Sequence, residues 1–189
     1  MIKSIFEKIN TALGRLSPAR RIFLSFAMVI FLGSLLLSLP FVQATTSQAT
    51  YFDHLFTAVS MVCVTGLFTQ SVASTYNIWG QLICMVLIQI GGLGLMTFLG
   101  IFYIQGKQKL SLRGRETILE SFNFEETQSL KDFLRSIFVT TFLVEGFGAF
   151  LLSFRFVPEF GLGRGIFNSI FVAVSAFCNA GFDNFGSTS

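Results

Sequence analysis

Phe52-Asp53-His54-Leu55-Phe56-Thr57-Ala58-Val59-Ser60-Met61-Val62-Cys63-Val64-Thr65-Gly66-Leu67 aligns without gaps to Phe167-Asn168-Ser169-Ile170-Phe171-Val172-Ala173-Val174-Ser175-Ala176-Phe177-Cys178-Asn179-Ala180-Gly181-Phe182, at a constant offset of 115 residues. Seven of the sixteen positions are identical: Phe52/Phe167, Phe56/Phe171, Ala58/Ala173, Val59/Val174, Ser60/Ser175, Cys63/Cys178 and Gly66/Gly181. Chance supplies roughly one or two identities in so apolar a window, so the match marks an internal repeat. Each stretch is an apolar run of about eleven residues that ends in a small-residue turn with a glycine. A run of that length is too short to cross a bilayer as a helix and long enough to enter it halfway. Irregular backbone at such a depth is tolerated only where it lines a cavity or a pore.

The composition is that of a membrane protein. Of 189 residues, 52% are hydrophobic and 12% charged, against about a quarter charged in soluble domains. Phenylalanine alone accounts for 25 residues. The formal charge of +3 matters less than its placement, for no Lys or Arg occurs between Arg21 and Lys107. The basic residues gather at Lys3, Lys8, Arg15, Arg20 and Arg21, and again at Lys107, Lys109, Arg113, Arg115, Lys131 and Arg135. Each group abuts a long apolar span, so the positive-inside rule accounts for them better than a nucleic-acid patch does. Cys63, Cys84 and Cys178 form no CxxC pair and have no metal-ligand spacing to His54; Cys63 and Cys178 are expected as small apolar fillers. The basic start followed by residues 22–39, uncharged and with no small-x-small cleavage site, predicts a retained first span rather than a signal peptide.

Four segments follow. Residues 1–21 are a cytoplasmic amphipathic start. Residues 22–104 form a first repeat: a span at 22–39 closed by Pro40, a half-membrane helix at 51–61, an extended return at 62–70, and an uncharged stretch at 78–104. That stretch of 27 residues is about 40 Å long if helical, so it must tilt or bend. Gly91, Gly92 and Gly94 near its middle predict close helix approach or a bend rather than a dinucleotide loop, since no strand precedes them. Residues 105–135 are a polar cytoplasmic linker with a helix around 113–122, either a solvated loop or a contact for a regulatory subunit. Residues 136–189 form a second repeat: a span at 136–154, a loop marked by Gly161, Gly163 and Gly165, and a half-helix at 167–177. The chain is thus expected to be all-α and polytopic, with one and a half span–pore–span repeats, and to be the N-terminal part of a longer protein.

A cation crossing a bilayer must replace its hydration shell, and backbone carbonyls of an extended glycine-containing loop do so without a fixed charge in the path. Glycine supplies the dihedral freedom to turn successive carbonyls toward one axis. A half-helix entering from outside presents the negative end of its dipole to the ion. One VTG turn alone reads sooner as a packed connection between buried helices; its duplication at the same point of a duplicated hairpin reverses that preference in favour of the pore.

On these residues the chain resembles the Trk/Ktr/HKT superfamily of potassium transporters, most closely the Ktr-type membrane subunit, whose members place four such repeats around one pore. The resemblance implies potassium transport with two filter segments in this chain, Val64, Thr65, Gly66 and Leu67, and Asn179, Ala180, Gly181 and Phe182. Potassium, the transported substrate, would be held at Thr65, Gly66, Ala180 and Gly181. It also implies a homodimer in the cell membrane and a cytosolic RCK-type regulatory ring. Any nucleotide would sit on that partner, with no cofactor in this chain. Gly66 keeps the glycine that sodium-preferring relatives can replace by serine, which favours potassium; a sodium-permeable relative is the alternative.

Other residues are weighed singly. Glu145 in the middle of the third span is either one half of an intramembrane ion pair or a protonated structural glutamate. Asp183, directly after the second filter, either attracts cations at the outer mouth or caps a loop. Asp53 and His54 are expected as a helix cap and dipole partner rather than as ligands. A membrane enzyme would need several titratable groups at one depth, and only Glu145 is clearly intramembrane. A non-transporting scaffold would leave the duplicated loops unexplained.

Overall fold

The computed structural model describes residues 18–94 and 130–186. The amphipathic start up to residue 17, the stretch 95–129 with most of the linker and its helix at 113–122, and the last three residues lie outside the described residues. Five helices carry the fold: α1 (Pro18–Leu37), α2 (Tyr51–Val62), α3 (Ile78–Leu93), α4 (Leu130–Phe160) and α5 (Leu162–Phe177). Among the described residues the only β-type pairing is an isolated antiparallel bridge between Gln43 and Tyr76. The chain is an all-α membrane protein.

Local chemistry sets the element ends. Pro40 holds Leu39 in extended backbone, φ −69° and ψ 134°, and so stops continuation of α1; a 3-10 turn, Pro40–Val42, follows. Thr50 and Asp53 form a capping box at the start of α2. At α3 the Asn77 side chain accepts from the Trp79 and Gly80 amides. Helix α3 ends at Gly94, whose φ of 77° favours glycine. The stretch expected to tilt or bend thus breaks its helix there.

The second repeat departs from its expected boundaries. Helix α4 begins before the apolar stretch and runs past Phe154 to Phe160. Its last two turns carry an Arg155–Glu159 ion pair one turn apart at 2.9 Å, so the helix continues after the apolar segment has ended. Gly161, with φ 80°, is the whole junction. Gly163 and Gly165 belong to α5 rather than to a loop. A β-carbon on Gly165 would lie 2.6 Å from the Val157 Cα and 2.7 Å from the Phe156 carbonyl, so glycine there permits the tight α4–α5 approach.

Helix α2 packs on α1 and on α3, α3 packs on α5, and α5 packs on α4. The core lies around α3 and gathers Leu37, Ala58, Met61, Val62, Leu87, Ile88, Phe171 and Val174 with the loop residues Ala180 and Phe182. Gly91 and Gly92 are the contact points. A β-carbon on Gly91 would sit 2.6 Å from the Val62 carbonyl at the end of α2, and one on Gly92 would sit 2.4 Å from the Cys178 Sγ at the end of α5. The expectation of close helix approach at these glycines holds. By length and composition Leu134–Phe160 can cross a membrane, and its apolar window is only 11% buried. Ile22–Leu37, Ile78–Leu93 and Leu162–Phe177 are shorter apolar helices.

Candidate functional site

Both half-helices end in the same turn. Cys63 and Cys178 close the helices in αR geometry, and the next residue swings to a left-handed φ of 55° in each case, at Val64 and at Asn179. Val64 N–H donates to the Met61 carbonyl (3.3 Å) and Thr65 N–H to the Ser60 carbonyl (2.9 Å). Asn179 N–H donates to the Ala176 carbonyl (3.1 Å) and Ala180 N–H to the Ser175 carbonyl (2.8 Å). This is the Schellman arrangement, with the left-handed residue at C′. Asparagine adopts that conformation at little expense, whereas a β-branched valine stores strain of about 1–3 kcal/mol. Two residues later Gly66 and Gly181 also have positive φ, 72° and 70°.

The return segments then run back along their own helices, fastened at two levels. At the inner level the Ser60 Oγ accepts from the Leu67 amide (2.9 Å), and the Ser175 Oγ accepts from the Phe182 amide (2.9 Å). Ser60 Oγ also contacts Thr65 Oγ1 at 2.8 Å. At the outer level Thr69 Oγ1 donates to Asp53 Oδ1 (2.7 Å), and Asn184 Nδ2 donates to Asn168 Oδ1 (3.0 Å). All four positions of each set are related by the offset of 115. Among the described residues, no hydrogen bond is accepted by the backbone carbonyls of residues 64–67 or 179–182.

The two loops meet at their glycines. A β-carbon on Gly66 would lie 3.0 Å from the Ala180 carbonyl oxygen and 3.4 Å from the Gly181 Cα, and one on Gly181 would lie 3.2 Å from the Gly66 Cα. Glycine is therefore required twice over, by its dihedral and by the approach of the opposite backbone. Gly66, Ala180 and Gly181 are thus brought together. Ala180 and Phe182 are buried, while Thr65 and Leu67 are exposed.

Around the first loop the surroundings are polar and partly charged. Asp53 Oδ2 accepts from the Thr50 amide (2.8 Å) and hydroxyl (2.7 Å), so its expected capping role holds. These bonds, with that from Thr69 the strongest, hold its carboxyl at about 2, below the ordinary carboxylate range. His54 is no cap but a buried member of a chain: Gln43 Nε2 donates to the Ser38 carbonyl (2.9 Å) and meets His54 Nε2 (3.1 Å), and His54 Nδ1 meets the Tyr76 hydroxyl (2.9 Å). With the Gln43 amide spending its hydrogens on Ser38 and His54, the imidazole accepts at Nε2 and donates from Nδ1, and is neutral. Burial pushes its pKa below the usual imidazole value, against the opposing pull of Asp53.

Around the second loop the surroundings are amides. Asn184 Nδ2 reaches Gln81 Oε1 (3.2 Å) as well as Asn168, and Gln81 Nε2 donates to the Tyr76 carbonyl (3.0 Å). Eight residues along α3, Gln89 Nε2 donates to Glu145 Oε1 (2.8 Å), and the Cys178 thiol approaches Gln89 Oε1 at 3.9 Å. Glu145 is buried on this amide. Asp183 Oδ1 accepts from the Phe185 amide (3.1 Å), a local turn bond. Cys84 and Cys178 are buried and Cys63 is exposed, and all three thiols are free.

Sequence reasoning found the loops and missed what braces them. For Ser60 and Ser175, which carry the inner fastening, identity across the repeat was the available signal. Thr69 and Asn184 lie two positions beyond the aligned window. Nothing in the composition of α3 singled out Gln81 or Gln89.

Residues 16–188 match the TrkH family, described as cation transport protein. The potassium/sodium uptake protein NtpJ of Enterococcus hirae is 43% identical over 172 residues, 91% of this chain and 38% of that protein. The Ktr system potassium uptake protein B of Bacillus subtilis is 36% identical over 168 residues, 89% of this chain and 37% of the relative. Ktr system potassium uptake protein D of the same organism is 32% identical over 184 residues, 96% of this chain and 40% of the relative. The chain therefore spans 38%, 37% and 40% of the length of these curated relatives.

Proposed function

As the chain belongs to the TrkH family of cation transport proteins, we propose that it contributes two of the filter segments of a potassium uptake pore. Potassium, as substrate, is held by backbone carbonyls of Val64, Thr65, Gly66 and Leu67 and of Asn179, Ala180, Gly181 and Phe182, with Thr65, Gly66, Ala180 and Gly181 closest to the ion. The observation that carries this reading is the pair of matching turns: two positive-φ glycines, back to back across the two repeats, within segments whose carbonyls accept no hydrogen bond among the described residues. Carbonyl oxygens left free in this way can replace water around a cation without a fixed charge. The half-helices α2 and α5 direct the negative ends of their dipoles to the same place.

In this reading the protein lies in the cell membrane with its N-terminus and the polar linker cytoplasmic. It assembles as a homodimer with a cytosolic nucleotide-binding regulatory subunit, and further repeats close the pore. Asp183 attracts cations at the outer mouth, and Glu145 meets a basic residue of another segment. Sodium permeation is the second reading, and it draws on a relative that is itself named a potassium/sodium uptake protein. The test is uptake by the full-length protein in a host that lacks its own potassium uptake. Gly66→Ser and Gly181→Ser should each lower rubidium uptake relative to sodium uptake, because a side chain at either position collides with the opposite loop. Equal ratios in parent and both variants, at matched amounts in the membrane, would overturn the filter assignment.

A further inference from the structure

Each return segment is tied back to its own half-helix by a bond three residues past the filter glycine. In the first repeat Thr69 Oγ1 binds Asp53 Oδ1 at 2.7 Å; in the second Asn184 Nδ2 binds Asn168 Oδ1 at 3.0 Å. Residues 53 and 168 are equivalent, and so are 69 and 184, although neither pair is identical in residue type. The repeat thus keeps the tie while changing its chemistry from carboxylate and hydroxyl to two amides. A bond that persists at equivalent positions through a complete exchange of side chains is a property of the loop, not of one sequence.

We propose that Asp53–Thr69 and Asn168–Asn184 are positioning pairs that set ion selectivity by fixing the outer half of each filter loop. The inference rests on the filter reading given above. The inner end of each loop is held by Ser60 or Ser175 at residue 67 or 182, and the outer pair holds residue 69 or 184. The filter carbonyls lie between the turn bond at residue 65 or 180 and the serine bond at residue 67 or 182, and the outer pair secures the chain just beyond them. With the outer tie cut, the serine bond alone holds the return segment against its half-helix, and the carbonyls around Gly66 or Gly181 are less firmly placed. A cage that can relax accommodates the smaller ion better, so the preference for potassium over sodium falls while the pore still conducts. The second pair is also fixed to α3 through Gln81, at 3.2 Å, so its loop is held against the shared wall as well as its own helix.

The pairs act on the ion only through the loop, so the readout must separate selectivity from folding. In the full-length protein, sodium and rubidium uptake are measured in cells with the amount of protein in the membrane quantified. Thr69→Val removes the donor with little change of shape, whereas Thr69→Ser and Thr69→Asn keep one. Thr69 is exposed, so none of these endangers the core. Asn184→Leu removes the second tie, whereas Asn184→Thr installs the donor of the first repeat. The tie-breaking variants should raise the sodium-to-rubidium ratio by about threefold to tenfold, the range expected for one lost hydrogen bond. The tie-keeping variants should stay within about twofold of the parent. The inference is overturned if breaking and keeping variants at position 69 give the same ratio, whatever happens at position 184. Should Asn184→Leu fail to reach the membrane, the comparison at position 69 decides alone. Gly66→Ser is the control: a shift there without one in Thr69→Val sinks the positioning role and spares the filter, while no shift in either removes both.

Discussion

The two repeats share a loop and differ in what surrounds it. Leu37 and Leu152 are equivalent, as are Tyr51 and Ile166, so the same length of chain joins span to half-helix in both. In the first repeat Pro40 ends the helix and the connection forms a 3-10 turn and a bridge to Tyr76. In the second, Arg155 occupies the place of Pro40, the helix continues to Phe160, and Gly161 starts α5 at once. The loops nevertheless agree residue by residue in their left-handed turns and in both levels of fastening. Loop geometry is therefore set inside the hairpin, by the Schellman turn, the serine and the outer pair. The connection to the span is free to vary.

The comparison breaks most sharply when the two outer pairs exchange chemistry. Asp53 is partly exposed, and a side-chain amide in its place still offers one oxygen to the Thr69 hydroxyl, while water can take the bonds that its second oxygen accepts from Thr50. Asn168 is 1% exposed, and a carboxylate there would be desolvated. Asn168→Asp should destabilise the protein by about 3–5 kcal/mol, seen as an early melting transition in detergent. Asp53→Asn should melt much closer to the parent than Asn168→Asp does. Similar melting of the two variants would show that the environments are less different than their burial implies.

A smaller inequality is expected at the inner level. Ser60 and Ser175 are identical in sequence and in the bond they accept, but Leu67 is 61% exposed and Phe182 only 4%. Removing the Ser175 hydroxyl leaves the Phe182 amide buried without a partner, at about 1–3 kcal/mol. Water can take the place of the Ser60 hydroxyl at Leu67, so Ser60→Ala should cost about 1 kcal/mol or less. Melting curves of Ser60→Ala and Ser175→Ala in the same detergent check the order. A reversed order would locate the main role of Ser60 in its contact with Thr65 rather than in the loop amide.

How much of this was legible follows from what repetition can reveal. The two matching helices and their glycine turns came from residues that recur at one offset. Boundaries were less legible in the second repeat, because Arg155 and Glu159 look like the end of a span yet pair along a continuing helix. Gly163 and Gly165 resembled a loop because glycine marks both turns and close approaches, and only the packing of Val157 distinguishes the two. The outer pairs stayed hidden because Asp and Asn, or Thr and Asn, are equivalent as hydrogen-bonding partners but not as letters. Gln81 and Gln89 were hidden in an apolar stretch whose partners, Asn184 and Glu145, lie far along the chain.

The least effect expected is one of pH, and it separates the repeats without mutation. The Asp53 carboxyl is held at about 2 in the folded protein, below its ordinary value of about 3.9. A depressed carboxylate contributes stability that is full above the unfolded pKa and is lost as pH falls from about 4 toward 2. Because Asp53 is open to solvent, the loss should be local rather than global. His54 acts in a separate window: its folded pKa is lowered by burial, so its contribution is full above the unfolded value of about 6.5 and declines as pH falls below it. The pair Asn168–Asn184 has no group that titrates in either range. Amide exchange in detergent should therefore quicken in residues 64–70 on going from about pH 4 to about pH 2.5, once corrected for the intrinsic rate, while residues 179–182 keep their protection. Asp53→Asn should abolish the difference, since the tie it leaves behind carries no charge. Equal loosening of both loops, or loosening of the first loop that persists in Asp53→Asn, would trace the acid response to His54 or to the shared helix α3 and not to the outer pair.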